Sequence, residues 1–390
     1  MTHPRSLKLC FVILALVSGR AADAQDGPPS SGPELVCEIT GEQSSGARFE
    51  ICMPPLWRWN GDLVVFAHGY VPATVPLQDP GLLVVGERLV NLFGYAFATT
   101  SYSVNGLAVV EGIHDVVDLV DVFAAHYRAP VKIYLVGYSE GALISTLVIE
   151  QYPEIFDGAL AMCGPIGDFE EQITYIGDFR VVFDYFFPGL LPPSPVEIPQ
   201  QLIDDWASHY RMTIKPVVED PLHDPDVEQL MAVTGAAHSP ADRATREQTI
   251  LGVLSYNVLG TNDAVAKLGG QPFSNRERLY VGSVDDQSLN QRVFRVAPDQ
   301  AALGELSLRY RTSGQLTRPL VAIHTTRDPI VPYRQMELYR AKVDRAETSG
   351  LFRATGVERY GHCNFTPLEI LGAFFQMSQM ANPGSPDGGE

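Results

Sequence analysis

Residues 131–142 read VKIYLVGYSEGA, and they are the strongest indication of the fold in this sequence. The run VKIYLV is rich in β-branched residues, as is typical of a buried strand, and residues 142–152 have a helical pattern. Between them, Gly137-Tyr138-Ser139-Glu140-Gly141 fits the pattern G-x-S-x-G. A serine on such a strand-to-helix turn is strained and exposes its Oγ at the helix N-terminus. The context therefore predicts that Ser139 is a nucleophile.

Outward from this turn, short β-rich runs alternate with helical periods. A hairpin is expected from residues 35–40 and 48–53. Further strands are predicted at residues 62–67, 95–100, 131–136, 159–162, 320–324 and 352–357. Helices are predicted at residues 109–127, 142–152 and 366–380, the first with apolar residues on one face and acidic residues on the other. This alternation indicates an α/β protein with a mostly parallel, doubly wound sheet.

One connection between successive strands is much longer than a crossover in a parallel sheet requires. About 150 residues separate the strand that ends near Cys163 from the strand that begins near Leu320, although one helix with short loops suffices there. We therefore expect residues 166–315 to form an inserted cap, rich in aromatic side chains and proline. The core domain then comprises residues 34–165 and 316–380.

A serine hydroxyl is a weak nucleophile unless a base takes its proton. Of the nine histidines, His362 has the most suitable place. It stands in the loop Tyr360-Gly361-His362-Cys363, after the last predicted strand and before the last helix. The sequence therefore predicts that His362 is the base.

The base needs a carboxylate to fix its tautomer and to stabilise the imidazolium. Asp328 follows the strand LVAIH in the segment TRDPIVP, in the chain order Ser139, Asp328, His362. Asp168, just after the preceding strand, is the main alternative. A third alternative, the pair Asp285-Asp286, is more typical of a surface turn.

A second backbone donor is expected at the end of an earlier strand, in the turn His68-Gly69-Tyr70. The N–H groups of Tyr70 and Glu140 would together form an oxyanion hole. His68 itself is interpreted as a structural residue that holds the turn.

Taken together, the strand before His68-Gly69, the segments GYSEG and DPIVP, and the tripeptide GHC resemble the α/β-hydrolase superfamily over residues 35–165 and 316–380. The segment DPIVPY is similar to that of prolyl-oligopeptidase-like members, without their propeller domain. A Cys163–Cys363 bridge beside the histidine would resemble tannase and feruloyl-esterase relatives. Their cysteine directly before the serine is Tyr138 here, so their substrate preference is not transferred.

The first 24 residues indicate export. Arg5 and Lys8 precede the apolar stretch LCFVILALV, and Ala22-Asp23-Ala24 is a cleavage signal. Cleavage after Ala24 would leave four cysteines, which is typical of two disulfides in an exported chain. These are Cys37, Cys52, Cys163 and Cys363.

Three pairings are possible. A hairpin would bring Cys37 and Cys52 together and leave Cys163 for Cys363, and four free thiols are the alternative. The cleaved chain would continue with a linker at residues 25–33, and residues 381–390 form a similar tail; both are expected to be disordered.

Composition excludes several classes of protein. The net charge of −18 and the pI near 4.9 argue against nucleic acid as a partner. No apolar run approaches the roughly 20 residues that cross a bilayer, so an integral membrane protein is not expected. No metal-binding motif is present, and the predicted chemistry needs no cofactor.

The sequence thus predicts a secreted or periplasmic serine hydrolase acting on small carboxylic esters. A peptidase or amidase with the same three residues, and an inactive hydrolase-fold binding protein, are the alternatives.

Overall fold

The structure is a computed structural model that describes Cys37 and residues 39–80, 87–239 and 242–382. The predicted signal peptide (1–24) and linker (25–33) lie outside the described residues, as do positions 383–390 of the predicted tail.

Eight strands form one sheet, in the order β1-β2-β4-β3-β5-β6-β7-β8. They are β1 (Ile39–Glu42), β2 (Arg48–Cys52), β3 (Leu63–Ala67), β4 (Ala96–Thr100), β5 (Ile133–Tyr138), β6 (Gly158–Met162), β7 (Leu320–Arg327) and β8 (Phe352–Tyr360). The pairs β1–β2 and β2–β4 are antiparallel, and all the other pairs are parallel. The predicted fold class, an α/β hydrolase with a mostly parallel sheet, is confirmed.

Helices cover both faces of the sheet and fill the long crossover. Those outside the crossover are α1 (Glu87–Leu92), α2 (Val109–His126), α3 (Glu140–Gln151), α12 (Arg334–Arg345) and α13 (Pro367–Ala381). Those between β6 and β7 are α4 (Phe169–Phe186), α5 (Gln200–Asp204), α6 (Trp206–His209), α7 (Lys215–Val218), α8 (Asp224–Thr234), α9 (Ala244–Leu268), α10 (Asp286–Arg292) and α11 (Gln300–Arg309). The described residues also include a π-helical turn (Tyr210–Ile214) and the 3₁₀ turns Pro221–His223 and Ser349–Leu351.

The central strands are apolar throughout because both of their faces are covered. In β3, Leu63 and Val65 pack into one hydrophobic cluster with residues of α2 and α3. Val64 and Phe66 point to the opposite face and pack into a second cluster with residues of α13. Alternate side chains therefore serve two cores, which explains the unbroken apolar run that predicted this strand.

The long crossover has a hydrophobic core of its own. Its cluster draws on α4, α8 and α9 and also includes Ile330 and Val331, which follow β7. The crossover is thus packed onto the loop that leaves β7. The boundaries at residues 166 and 315 stay predictions.

Three strands extend beyond their predicted C-terminal ends. β5 continues to Tyr138 and α3 begins at Glu140, so Ser139 alone separates them. β7 continues to Arg327, directly before Asp328, and β8 to Tyr360. Polar residues at these strand ends broke the apolar runs in the sequence, although the backbone pairing continues past them. Helix α12 escaped prediction because charged residues dominate it and its buried apolar stripe is narrow.

Two disulfides connect Cys37 with Cys52 and Cys163 with Cys363, as the hairpin argument favours. Cys52 pairs with Phe97 at the start of β4, whereas Cys163 directly follows the last residue of β6. The two disulfides therefore lie at opposite ends of the sheet. In the described part of the chain, no helix combines the length and the apolar composition that a membrane crossing requires.

We predict opposite effects for alanine at two glycines. A Cβ on Gly137 would lie 2.1 Å from the carbonyl oxygen of Gly141, so Gly137→Ala should lower the unfolding free energy by about 3 kcal/mol or more. Gly372 lies inside α13 with no atom within 4 Å of its built Cβ, so Gly372→Ala should raise stability by about 0.5–1 kcal/mol. Urea unfolding followed by circular dichroism measures both. Equal stabilities would contradict the close approach at Gly137.

Candidate active site

Ser139 occupies the turn between β5 and α3 with φ 55° and ψ −123°, a conformation that is rare for residues other than glycine. Its N–H donates to the carbonyl of Met162 at 2.8 Å. A Cβ on Gly141 would lie 2.1 Å from the carbonyl oxygen of Ala67, and one on Gly69 would lie 3.1 Å from the Cβ of Ser139. The end of β3 therefore passes directly against the serine turn, and only glycine permits this contact.

The three predicted residues form one hydrogen-bonded chain. His362 Nε2 lies 2.8 Å from Ser139 Oγ, and His362 Nδ1 lies 2.8 Å from Asp328 Oδ2. All three side chains are buried. The structure thus brings together residues from the ends of β5, β7 and β8, in an arrangement suited to moving a proton from the serine to the histidine.

Backbone hydrogen bonds to one oxygen of Asp328 orient its carboxylate. Asp328 Oδ1 accepts hydrogen bonds from the N–H groups of Ile330 and Val331 at 2.9 and 3.0 Å, which leaves Oδ2 for His362. His324 Nε2 also lies 3.5 Å from Oδ2 and donates to the carbonyl of Val331 at 2.8 Å. Burial lowers the pKa of His324, so this ring stays neutral and does not compete for the charge of Asp328.

Helix α4 holds the loop that carries Asp328. The Tyr175 hydroxyl donates to the carbonyl of Pro329 at 2.7 Å, and Gln172 Nε2 donates to the carbonyl of Ile330 at 2.8 Å. Together with the bond from His324, three consecutive carbonyls after Asp328 are fixed by side chains. The position of the carboxylate therefore depends on the long crossover as well as on the sheet.

The alternative acids serve elsewhere. Asp168 is the N-cap of α4 and accepts hydrogen bonds from the N–H groups of Glu170 and Glu171. Asp285 is the N-cap of α10, and Asp286 accepts from Ser283. These carboxylates satisfy backbone donors at helix starts, so Asp328 alone meets His362.

The turn of residues 68–70 lies against Ser139. The ring of His68 stacks on Tyr102 with centroids 3.9 Å apart, and burial lowers the pKa of His68, so the ring is neutral. The Tyr102 hydroxyl donates to the carbonyl of His68 at 2.9 Å. Within the described residues, the backbone N–H groups of Tyr70 and Glu140 have no acceptor, so both are free to meet a ligand.

Glu140 brings an uncharged carboxyl group to the nucleophile. Its side chain is only 7% exposed; Oε1 accepts the N–H of Ala108 at 3.1 Å, and Oε2 has no partner among the described residues. Burial raises the pKa of Glu140 to about 8, although Ala108 and Lys267 oppose the rise. At neutral pH the group is mostly protonated, which keeps a negative charge away from Ser139.

The Cys163–Cys363 disulfide lies beside the histidine. Its two sulfur atoms and one ring nitrogen of His362 are all within 4.8 Å of one another. Cys163 and Cys363 both have positive φ, 50° and 53°. The bond therefore ties the end of β6 to the His362 loop. Both groups of potential metal ligands in the described chain include a disulfide, so their sulfur atoms are not free thiolates.

A cavity of about 140 Å³ opens beside Ser139. Most of its wall is apolar and comes from the long crossover and the Asp328 loop, including Phe169, Ile173, Ile176, Phe273, Ile330 and Val331. Among the described residues, Glu140 is the only acidic one that lines the cavity, and no basic one does. The cavity therefore suits an uncharged, apolar group.

Sequence reasoning missed the contribution of the crossover to this site. Gln172 and Tyr175 on α4 and Tyr256 on α9 lie next to the reacting groups. Their only signal in the sequence was the aromatic composition of the segment, which gives no register or partner.

Comparison with known families supports the fold. The model of the family described as serine aminopeptidase, S33 (Hydrolase_4) matches residues 102–288, just under half of the chain. The match includes Ser139 but not Asp328 or His362. With the strand order and the serine turn, it agrees with an α/β-hydrolase fold. No curated protein matches the sequence at a significant level.

Solved structures of hydrolases are also similar at low identity. An esterase from Aspergillus oryzae is 12% identical over 88% of this chain and 78% of its own, with a TM-score of 0.46. Lipase A from Candida antarctica is 14% identical over 89% and 77%, with a TM-score of 0.45. Pyrococcus horikoshii acylaminoacyl peptidase is 11% identical over 92% and 43%, with a TM-score of 0.45. Likenesses at this level do not bear on the substrate.

We predict a pH-dependent effect of Glu140→Gln on stability. The pKa of Glu140 is about 8 in the folded state and near 4.5 in the unfolded chain. Between these values the unfolded chain loses a proton that the folded protein keeps, so Glu140 lowers stability progressively from pH 4.5 to 8. The stability of Glu140→Gln relative to the wild type should therefore rise over this range, by on the order of 4 kcal/mol. Urea unfolding at pH 4.5, 6 and 8 measures it, and parallel curves for the two proteins would contradict it.

We also predict that the two disulfides differ in their effect on turnover. Cys163→Ser/Cys363→Ser opens a 200-residue loop, which the chain-entropy model values at on the order of 5 kcal/mol, and it releases the His362 loop. It should lower both the melting temperature and turnover.

Cys37→Ser/Cys52→Ser is the matched control. It opens a 15-residue loop at the opposite end of the sheet, so it should lower stability with little change in turnover at low temperature. Calorimetry and initial rates on one substrate compare the pairs, and equal turnover in both variants would contradict the expected role of Cys163–Cys363.

Proposed function

We propose that this protein is an exported serine hydrolase that cleaves small carboxylic esters through an acyl-enzyme intermediate. The single observation that carries the proposal is the buried chain from Ser139 through His362 to Asp328, with both links at 2.8 Å, beside an apolar cavity. Export rests on the predicted signal peptide, and the two disulfides agree with it.

The reaction would proceed by two transfers. Ser139 Oγ attacks the acyl carbon while His362 Nε2 takes its proton, and Asp328 stabilises the imidazolium through Nδ1. The N–H groups of Tyr70 and Glu140 donate to the oxygen that becomes negative. His362 then gives its proton to the leaving alcohol. Water repeats the sequence and releases the acid together with the free serine.

An ester is favoured over a peptide with a free amino terminus. An ammonium group needs an anionic partner. In the part of the chain that the structure describes, the only acidic group lining the cavity is Glu140, which is mostly protonated at neutral pH. A volume of about 140 Å³ is close to that of engineered apolar cavities that bind benzene. We therefore propose an acyl group with one aromatic ring or a short to medium alkyl chain.

The match to the serine aminopeptidase family makes a peptidase the second candidate. An acylated peptide would avoid the need for an anionic partner and would use the same three residues.

A substrate panel tests the proposal. Initial rates are measured on p-nitrophenyl esters from acetate to laurate, on p-nitrophenyl phenylacetate and on aminoacyl p-nitroanilides, with Ser139→Ala as control. We expect the highest kcat/KM for butyrate, hexanoate or phenylacetate, and a loss on the order of 10⁶-fold in Ser139→Ala. Preference for the anilides would favour the peptidase. Full activity of Ser139→Ala would overturn the assignment of the nucleophile, and failure of a fluorophosphonate to label Ser139 would favour a binding protein.

A further inference from the structure

Tyr256 reaches the nucleophile from the long crossover. It lies near the middle of α9 and lines the cavity together with Ser139 and Tyr70. Burial raises the pKa of Tyr256, and the nearby Ser139 side chain opposes this rise. The raised pKa means that the hydroxyl stays protonated, and hence a donor, throughout the neutral range.

The hydroxyl of Tyr256 is not committed to another protein group. The neighbouring tyrosines Tyr70, Tyr102 and Tyr175 donate to the carbonyls of Leu259, His68 and Pro329, respectively. Within the described residues, the Tyr256 hydroxyl makes no such bond. A protonated hydroxyl in an apolar cavity, without a protein acceptor, is suited to donate to an acceptor that forms during the reaction.

The ring of Tyr256 lies beside the side chain of Tyr70 in the cavity. It packs against the ring of Tyr70, with centroids 5.4 Å apart, and Tyr70 carries one of the two free backbone N–H groups. The Asp328–His362 pair approaches Ser139 from the ends of β7 and β8, whereas Tyr70 follows β3. Tyr256 therefore lines the cavity next to the residue that carries the free Tyr70 N–H.

Helix α9 is held rigidly at this point. The Tyr70 hydroxyl donates to Leu259 at 3.2 Å and would contact a Cβ on Gly260 at 3.3 Å. On the other side, Asn257 accepts a hydrogen bond at 2.8 Å from the fully buried Arg180. The hydroxyl is thus preorganised, which is the condition under which a donor stabilises a transition state without reorganisation.

We propose that Tyr256 is a further catalytic residue, whose hydroxyl donates a third hydrogen bond to the oxyanion of the tetrahedral intermediate. The proposal rests on the acyl-enzyme function proposed above. In the free enzyme Tyr256 and Ser139 line the same cavity, and once Ser139 Oγ is bonded to carbon the hydroxyl donates to the former carbonyl oxygen. The long crossover then contributes directly to the chemistry in addition to forming the wall of the cavity.

The test compares Tyr256→Phe with Tyr185→Phe. Tyr185 is a control on α4 because its hydroxyl bonds to Ser288 and it does not line the cavity. On the best ester, Tyr256→Phe should lower kcat by on the order of 10²-fold with KM within about twofold, while its melting temperature stays close to that of the wild type. Affinity for phenylboronic acid, which forms a tetrahedral adduct with the serine, should fall at least about tenfold. Tyr185→Phe should change neither.

Unchanged kcat and boronate affinity in Tyr256→Phe would overturn the proposal, and so would a rise in KM alone. The boronate measurement and the rate of fluorophosphonate labelling need no ester turnover. If the wild type binds both probes but hydrolyses no ester, the ester function fails and these two readouts still judge Tyr256. If neither probe reacts with Ser139, both proposals fail.

Discussion

The left-handed backbone of Ser139 is the constraint on which the site depends. One residue separates a buried strand from a buried helix. The strain is maintained because β3 passes so close that Gly141 tolerates no side chain and Gly69 leaves little room for one. The same contact brings the Tyr70 N–H next to Ser139. The nucleophile and its proposed oxyanion donors are therefore consequences of one packing arrangement, and backbone strain here is offset by the burial of the whole sheet.

The long crossover and the sheet are connected through the loop after Asp328. Ile330 and Val331 belong to the hydrophobic core of the crossover, and their N–H groups orient the carboxylate of Asp328. Gln172 and Tyr175 hold the carbonyls of the same loop. A change in the packing of α4 would therefore shift Asp328 through the loop residues that directly follow it. The crossover thus supports the acid as well as enclosing the cavity.

The sequence predicted the fold and the residues at the strand ends because both depend on regular features of the chain. Parallel strands end at one edge of a sheet, so the polar residues after β5, β7 and β8 had to meet there. The serine turn also needs flanking glycines, because other backbone passes too close for a side chain. The crossover offered no such regularity. Tyr256, Gln172 and Tyr175 reach the site through helix orientations that are set by packing inside that segment. Strand ends at Tyr138, Arg327 and Tyr360 were missed because backbone pairing continues where the apolar pattern stops.

The linear separation of the interacting residues has a consequence for the order in which the site is assembled. Ser139 and His362 are 223 residues apart, and the bond from Cys163 to Cys363 spans 200. A growing or translocating chain that has emerged only as far as β6 holds the serine turn without the acid or the base. Contacts of such long range form late in folding because loop closure must precede them. Hydrolytic competence would therefore arise only when β7 and β8 have joined the sheet and have brought Asp328 and His362 to Ser139.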